Sequence, residues 1–502
     1  MTPANTTYGV HNILYKHMNS NKIQVPEPVR KVLDVLHEAG YEAYIVGGCV
    51  RDHLMGRTPG DYDVTTSALP EETMAAFRRD AARPAADTRP KTDWHIVETG
   101  LQHGTVTIVS PLSDGSYYNV EVTTFRIDGE YLDNRHPKEV TFTRSLTEDV
   151  ARRDFTINAM AYSEENGVID LYDGQADLAK GRLRCVGEAN KRFQEDGLRI
   201  LRALRFAAVL DFAPCTDDGT TYGQIDCQPE NATEKSYGQI DCGKNKSTYG
   251  QTDCTLSTDM AIHEMRSLLQ GISRERIHVE LTKLLGGVGA GRILAAYADV
   301  IETILPMLTM EKVQAAADAF RRLWAGEATA GFKLPPEGRY ALLFADCTEE
   351  EMRAGVRSLK MSRAEERLLY GFWYQRRCIP GETDSARYTW RKLSGSCDGY
   401  SFCRQQLLLL YATGAISADE RDKLLPQIDA LETESPCCTL GELAINGQTL
   451  MAKGITGAAI GRTLAALLEG VLRDELPNTE EALLARVAEM EKERTNGNGN
   501  TM

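Results

Sequence analysis

Near residue 155 the hydrophobic period of this chain changes. Before it, apolar residues sit in short runs rich in Val, Thr and Tyr; after it, they recur every three to four positions over long segments. A period of two belongs to strands and one near 3.6 to helices. The chain is therefore read as a mixed α/β part followed by a mainly helical part. In the first part, Val29 to Ala39 carries Val32, Leu33, Val35 and Leu36 suited to one helix face, with Gly40 where a C-terminal cap is expected. YEAYIVGG then reads as a strand entering a glycine turn, and VRDHLMG as a short helix stopped by Gly56. GDYDVTTS, HGTVTIVS and YYNVEVTTF read as further strands. RRDFTINAMAY opens the helical remainder, in which DGLRILRALRFAAVL, RERIHVELTKLL, RAEERLLYGFWYQRR, RQQLLLLYATG and EEALLARVAEMEKER all have helical spacing.

A chain of 502 residues is too long for one compact domain. Its hydrophobic fraction of 42% and charged fraction of 26% are ordinary for a globular protein. The net charge of -15 argues against a protein that coats nucleic acid non-specifically, yet it leaves room for a local basic cleft. The N-terminus lacks the charged and apolar regions of a signal peptide, and no run reaches the roughly 18 apolar residues of a membrane span. The 12 cysteines form no close CxxC pair, which suits a reduced cytoplasmic protein with free thiols. YGQIDC occurs at Tyr222–Cys227 and Tyr237–Cys242, and YGQTDC at Tyr249–Cys254. The spacings are irregular and the surroundings polar, so 214–255 reads as a low-complexity insertion rather than a solenoid. Cys215, Cys227, Cys242 and Cys254 match no metal-ligand spacing, and a flexible loop is the expectation.

Asp61 and Asp63 flank Tyr62 in an expected strand, where residues two apart point the same way. Two carboxylates side by side repel, and a hard cation between them removes that cost. Magnesium takes one or two carboxylates plus substrate phosphates, and such ions can activate an attacking hydroxyl and stabilise a leaving pyrophosphate. Taken alone, such a pair is more often a solvated turn. Its context raises it: Gly47 and Gly48 end an apolar strand and let backbone approach a ligand, and Arg51 follows with a guanidinium able to grip a triphosphate. By itself the glycine pair is most often a plain strand-to-helix turn.

YIVGGCVRDHLMGRTPGDYDVTT resembles the GG–RD–DxD signature of the tRNA nucleotidyltransferase and bacterial poly(A) polymerase family, a branch of the DNA polymerase beta superfamily. HGTVTI, VEVTTFR, DNRHPKEVTFTRSLTEDVARRDFTINAMAY, QEDGLRILRALRFAA, ISRERIHVEL and INGQTLMAKGITGAAIGRTLAALLEGVLRDELPN follow in family order. The resemblance covers most of residues 30–490 apart from the insertion. It implies a class II enzyme with an α/β (α+β) nucleotidyltransferase head built on a mixed sheet, followed by all-α neck, body and tail. The expected bounds are 1–160 for the head, 161–290 for the neck with the insertion inside it, 291–410 for the body, 411–490 for the tail and 491–502 for a disordered end. It implies that Asp61 and Asp63 bind Mg2+ and are catalytic. It implies nucleotide contacts from Gly48, Arg51, Arg153, Asp196, Arg199, Arg202 and Arg205. The implied partners are the tRNA 3' end with CTP and ATP; neither a membrane nor a protein partner is implied.

The segment EDGLRILRALRF supports a choice of nucleotide on chemical grounds. Asp196, Arg199, Arg202 and Arg205 recur every three residues, and read as one helix the row drifts about 180° from end to end. All four cannot face one small group. Asp196 and Arg199 can act together, while Arg202 and Arg205 reach phosphates or the fold. Leu198, Leu201 and Leu204 form an adjacent anchoring row. Away from this context Asp196 and Arg199 would be an ordinary i,i+3 surface pair. An aspartate accepts hydrogen bonds and an arginine donates them. Cytosine and adenine each present an amino donor beside a ring-nitrogen acceptor, which suits the pair. Guanine and uracil present the reverse order and would leave groups unpaired at roughly 1–3 kcal/mol each.

Glu121 in YYNVEVTTF reads as a third carboxylate near the pair or as a partner for Arg126. His103 reads as structural. DGEYLDNRHP at 128–137 reads as a mobile loop; in the resembled family a loop here supports the switch to adding A, which leans against a CC-only enzyme. Between Arg182 and Arg205 seven positive residues face three negative ones, a local charge of +4 that suits phosphates. Gly454, Gly457 and Gly461 read as close approach to RNA or as helix caps and turns. The leading expectation is a CCA-adding tRNA nucleotidyltransferase. The rivals are an A-adding enzyme or poly(A) polymerase on the same scaffold, and a catalytically inactive RNA-binding relative.

Overall fold

A computed structural model describes residues 22–82, 93–112, 114–129, 140–215, 257–380, 385–397, 399–434 and 436–497. The YGQ repeats, most of the 128–137 loop and the last five residues lie outside the described residues. The chain divides into two compact units, Met1–Gly289 and Ala290–Met502.

The first unit opens with helix α1 (Glu27–Glu38), which buries Val29, Val32, Leu33, Val35 and Leu36. The chain reverses at Gly40, whose φ of +87° an L side chain rarely adopts. There follow β1 (Ala43–Val46), α2 (Gly48–Leu54), β2 (Asp63–Thr66), α3 (Pro70–Ala81), β3 (His95–Gly100), β4 (Thr105–Pro111) and β5 (Tyr117–Thr124). A small two-stranded ribbon, β6 (Arg126–Asp128) with β7 (Val140–Phe142), precedes α4 (Leu146–Ala151). Next come β8 (Met160–Ser163) and β9 (Gly167–Asp170).

Seven of these strands form one sheet in the order β3-β4-β5-β2-β1-β8-β9. The β2–β5 pair is parallel and the other pairs are antiparallel, so the sheet is mixed. On β4 and β5, Val106, Ile108, Val120 and Val122 alternate inward and are almost fully buried. Phe77 of α3 packs edge-on against Trp94 at 5.2 Å and helps cover the sheet.

The helical remainder begins later than RRDFTINAMAY suggests. Met160–Ser163 is strand β8, buried along its whole length and paired to β1. A four-residue run buried at every position shows no alternation of burial, so its neighbours decide its conformation. Beyond β9 lie α5 (Gly174–Ala179), β10 (Arg182–Leu183), α6 (Ala189–Glu195), α7 (Leu198–Leu210), β11 (Ala213–Pro214), α8 (Thr258–Glu264) and α9 (Arg274–Leu285). In α7, Leu198, Leu201 and Leu204 are buried as the apolar row predicts.

The described part of the second unit is helical. Its longest helix is Met310–Ala330, capped by Thr309, whose hydroxyl accepts from the Lys312 N–H. Phe372 and Phe402 stack at 4.3 Å in its core, and Glu327 pairs with Arg339 at 2.6 Å out of water. Leu443, Ile445, Leu450, Ile455, Leu467, Val471, Leu483 and Val487 form a further apolar cluster towards the C-terminus. Among the described residues no helix is long and apolar enough to cross a membrane.

Candidate active site

The register of three strands builds the acidic end of the site. Val46, the last residue of β1, lies opposite Asp63, the first of β2. On the other side of β2, Asp63 lies beside Glu121 of β5. The expected strand at GDYDVTTS is shorter than its pattern: Asp61 and Tyr62 precede it. β1 ends at Val46, so it does not pair with them. Alternation survives without pairing. Tyr62 is 7% exposed, while Asp61 and Asp63 are exposed on either side of it. Glu121 stands beside Asp63 rather than Asp61. Asp63 keeps solvent access, yet the protein around its carboxyl, then the Asp61 and Glu121 charges, push its pKa up to about 6 against the pull of Arg153.

The glycine turn fits against this end. Gly47 has φ +83°, and a Cβ there would lie 3.3 Å from Arg153 Nη1. The Gly47 N–H donates to the Met160 carbonyl at 3.1 Å. Arg153 in turn donates from Nη2 to Asp149 at 3.2 Å. Asp149 is fully buried and also accepts from Thr65, Arg152 and the Arg126 N–H. Burial raises its pKa, but the Arg152 and Arg153 guanidinium groups outweigh that and hold it below the usual range. The Arg153 Nε is buried with no hydrogen-bond partner among the described residues.

Arg51 is 9% exposed. Its Nε donates to Asp52 at 2.8 Å and its Nη1 to Asn158 at 2.7 Å. It is thus held behind the glycine turn, with part of its donor set already used.

The expected single helix through EDGLRILRALRF is broken. α6 ends at Glu195, Asp196 is extended with φ -144° and ψ 104°, and α7 starts at Leu198. The physical reason is local. The Asp196 carboxylate accepts from the Leu198 N–H at 3.1 Å, a bond that starts a helix and competes with continuing one. The three-residue row therefore does not run along one helix, although Arg199, Arg202 and Arg205 share α7.

Asp196 and Arg199 take different side-chain partners. Asp196 accepts from Arg276 of α9 at 2.7 Å. Arg199 pairs with Glu195 and donates to the Arg152 carbonyl at 3.1 Å. Arg202 makes two bonds to one Asp154 oxygen, at 3.0 and 2.6 Å. Arg205 lies 3.1 Å from Glu280. The charges of α7 beyond Arg199 are thus each set against a carboxylate. Glu195, Asp154, Asn158, Arg276 and Glu280 were missed by sequence reasoning; RERIHVEL did place Arg276 and Glu280 at i,i+4, one face of a helix, which is the signal that could have found them. His103 is exposed, and its carbonyl accepts from Arg126 at 2.7 Å.

Residues 43–184 match the Poly A polymerase head domain, 256–310 the probable RNA and SrmB-binding site of polymerase A, and 339–487 the putative tRNA nucleotidyltransferase domain 2. The chain is 34% identical over 479 residues to the CCA-adding enzyme of Geobacillus thermodenitrificans, across 92% of this chain and 96% of that one. This chain belongs to the CCA-adding enzyme family of nucleotidyltransferases. The CCA-adding enzyme of Latilactobacillus sakei is 33% identical over 457 residues, across 90% of this chain and 95% of its own length. The crystal structure of the Bacillus stearothermophilus CCA-adding enzyme in complex with CTP superposes with a TM-score of 0.67 at 30% identity, covering 94% of this chain and all of that one. The Thermotoga maritima CCA-adding enzyme complexed with tRNA shares the fold, with a TM-score of 0.55 at 18% identity across 96% of this chain and 98% of that one. The mixed sheet followed by helices is the architecture of these enzymes.

Enzymes of this family work with a divalent metal. The donor set fits one: hard carboxylate oxygens at the start of β2, where burial and then the neighbouring Asp61 and Glu121 charges raise Asp63 to about 6. Among the described residues no three or more His, Cys, Asp or Glu are gathered closely enough to hold a metal by themselves. Asp61 and Asp63 would share the ion with substrate oxygens, as magnesium commonly requires.

Proposed function

We propose that this enzyme is a Mg2+-dependent CCA-adding tRNA nucleotidyltransferase of the cytoplasm. It adds C, C and A from CTP and ATP to the tRNA 3' end without a nucleic-acid template and releases pyrophosphate. The observation that carries the mechanism is the packing of Arg153 against Gly47 beside Asp63: one turn brings together the acidic pair, a glycine backbone and a cation.

Asp61 and Asp63 would hold the metal, with Glu121 as a neighbouring charge. When bound, a divalent ion lowers the pKa of the attacking 3' hydroxyl and balances charge on the leaving pyrophosphate. Gly47 and Gly48 put bare backbone beside the Arg153 and Arg51 guanidinium groups, a setting suited to the nucleotide phosphates. Arg153, packed against Gly47, sets a guanidinium charge beside them. Arg51 adds positive charge behind the turn.

Asp196 and Arg199 are the proposed base readers, and their separate clamps explain how they stay in place. Each Asp196 oxygen already accepts one bond and retains a lone pair for an amino group. Arg199 is held by Glu195 and by the Arg192 and Arg152 carbonyls, which fix the guanidinium that would donate to a ring nitrogen. Cytosine and adenine fit that order of acceptor and donor. Arg202 and Arg205 hold the helix that presents the pair.

Primer extension tests this reading, using tRNA ending before CCA, tRNA ending in CC and an unrelated RNA, with labelled CTP and ATP separately and together. CCA addition confined to tRNA is expected. Use of ATP alone on tRNA ending in CC points to an A-adding enzyme, and long A tails point to a poly(A) polymerase. No incorporation with Mg2+ leaves an RNA-binding protein.

A further inference from the structure

Phe206 lies where three cationic side chains meet. Its ring centroid is 3.9 Å from the Arg205 guanidinium carbon, 5.2 Å from that of Arg51 and 5.7 Å from that of Arg202. Phe155, just after the RRD triplet, meets the same ring edge-on at 5.7 Å. Only 8% of Phe206 is exposed. The face of a phenyl ring is its electron-rich side and attracts a guanidinium, most strongly where water is excluded.

Each arginine also has polar neighbours. Arg51 is tied to Asp52 and Asn158. Arg202 is tied to Asp154 and lies 3.7 Å from Glu280, which Arg205 also faces. None of these partners serves all three. Phe206 is the contact common to all three. It joins α2, behind the glycine turn, to α7, which carries Arg199. The crowding of positive charge is real: burial lowers the Arg205 pKa, Glu280 opposes this, and Arg202 and Arg51 add to it. Without the ring, Arg51 and Arg205 repel and the two helices lose a shared reference point.

We propose that Phe206 is a positioning residue for nucleotidyl transfer, its ring face setting the Arg51 guanidinium against the helix that presents the base readers. The triphosphate side of the site is thereby kept in line with the base side. The proposal rests on placing Arg51 in the nucleotide site. A leucine at 206 fills most of the same volume but has no π face, whereas a tyrosine keeps the face.

The test measures single-nucleotide CTP and ATP incorporation by the full-length enzyme carrying Phe206→Leu, Phe206→Tyr, Arg51→Ala and the Phe206→Leu/Arg51→Ala pair. Thermal unfolding of each variant separates packing from positioning. Phe206→Leu is expected to raise the nucleotide KM about tenfold, the scale of a desolvated cation–π contact, with the tRNA KM and base choice unchanged. Phe206→Tyr should recover that loss to within about twofold. The double variant should be no worse than the poorer single one, because both remove the same contact. A wild-type nucleotide KM in Phe206→Leu, even with a lowered Tm, overturns the proposal; so does full additivity with Arg51→Ala. If Arg51→Ala itself leaves the nucleotide KM unchanged, the placement of Arg51 fails, which is a separate result. Should Phe206→Leu not fold, Phe206→Met carries the same arm.

Discussion

Asp154 offers a prediction whose size follows from its surroundings. It closes the RRD triplet at 9% exposure. One oxygen accepts from the Phe155 N–H at 2.8 Å and from Asn158 at 3.2 Å, and the other accepts both Arg202 bonds. Burial by itself raises the carboxyl pKa. The Arg202 charge and hydrogen bonds, with help from Asn158 and Arg199, overcome this and hold it at about 2 instead of 3.8. At 1.36 kcal/mol per pKa unit, that difference is worth roughly 2–3 kcal/mol of stability. Because the folded value is the lower one, this stability is fully present above about pH 4 and is lost as pH falls through about 2. Asp154→Asn keeps the shape and one acceptor but removes the charge, leaving Arg202 facing Glu280 at 3.7 Å. It should cost roughly 2–3 kcal/mol at pH 7, below the 3–5 kcal/mol typical of deleting one partner of a buried pair. Urea unfolding of wild type and variant, followed by circular dichroism at several pH values, measures the gap. The gap should shrink by about half at pH 3, because the wild type has by then lost much of what the variant lacks. A gap below about 0.5 kcal/mol at pH 7, within the range of ordinary surface substitutions, or one that stays constant down to pH 3, refutes the reasoning.

Four further substitutions probe the site itself. Asp63→Asn removes a proposed metal ligand and should lower turnover about 10³-fold, the several kcal/mol a metal contributes to the transition state. tRNA binding should persist by filter assay, and chelation should reproduce the loss until Mg2+ is restored; wild-type turnover in the variant would falsify the assignment. Asp196→Ala should reduce discrimination against UTP and GTP from about 10⁴ towards about 10² in kcat/KM. Arg276→Ala, which frees Asp196 from its 2.7 Å clamp, should erode it about tenfold. Unaltered discrimination in both rejects the pair as the selector. Gly47→Ala forces a side chain onto φ 83° and ψ -127°, outside the left-handed helical well, at a cost of about 1–3 kcal/mol. Its Cβ would press on Arg153 Nη1. A Tm lowered by about 2–8 °C with a raised nucleotide KM is expected, and an unchanged KM argues against Arg153 as a nucleotide contact.

Much of the head was legible because strand and turn signals are local. Val, Thr and Tyr alternation marked β4 and β5, and Gly40, Gly47 and Gly56 all adopt the positive φ their places demand. The aspartate pair was legible for the same reason, since side-chain alternation across Tyr62 survives even where the strand does not. β8 was not legible. All four of its residues are buried, so no exposed position reveals a period, and the β1 edge chose their conformation. The break at Asp196 was also missed, because its cause is a side-chain bond to the backbone two residues on that the surrounding apolar spacing hides.

By itself the sequence determined the chemistry available: paired carboxylates behind a glycine turn, an Asp and an Arg three residues apart, and a family signature in order along the chain. The tertiary structure alone decided which groups work together. It set Glu121 beside Asp63 through a parallel register. It brought Arg276 to Asp196 across 80 positions. It gathered three arginines on one phenyl ring. Periodicity and capping act over a few residues and are written in the chain. Register and buried ion pairs arise only when distant segments close on one another, where each charge takes whichever partner the packing leaves within reach.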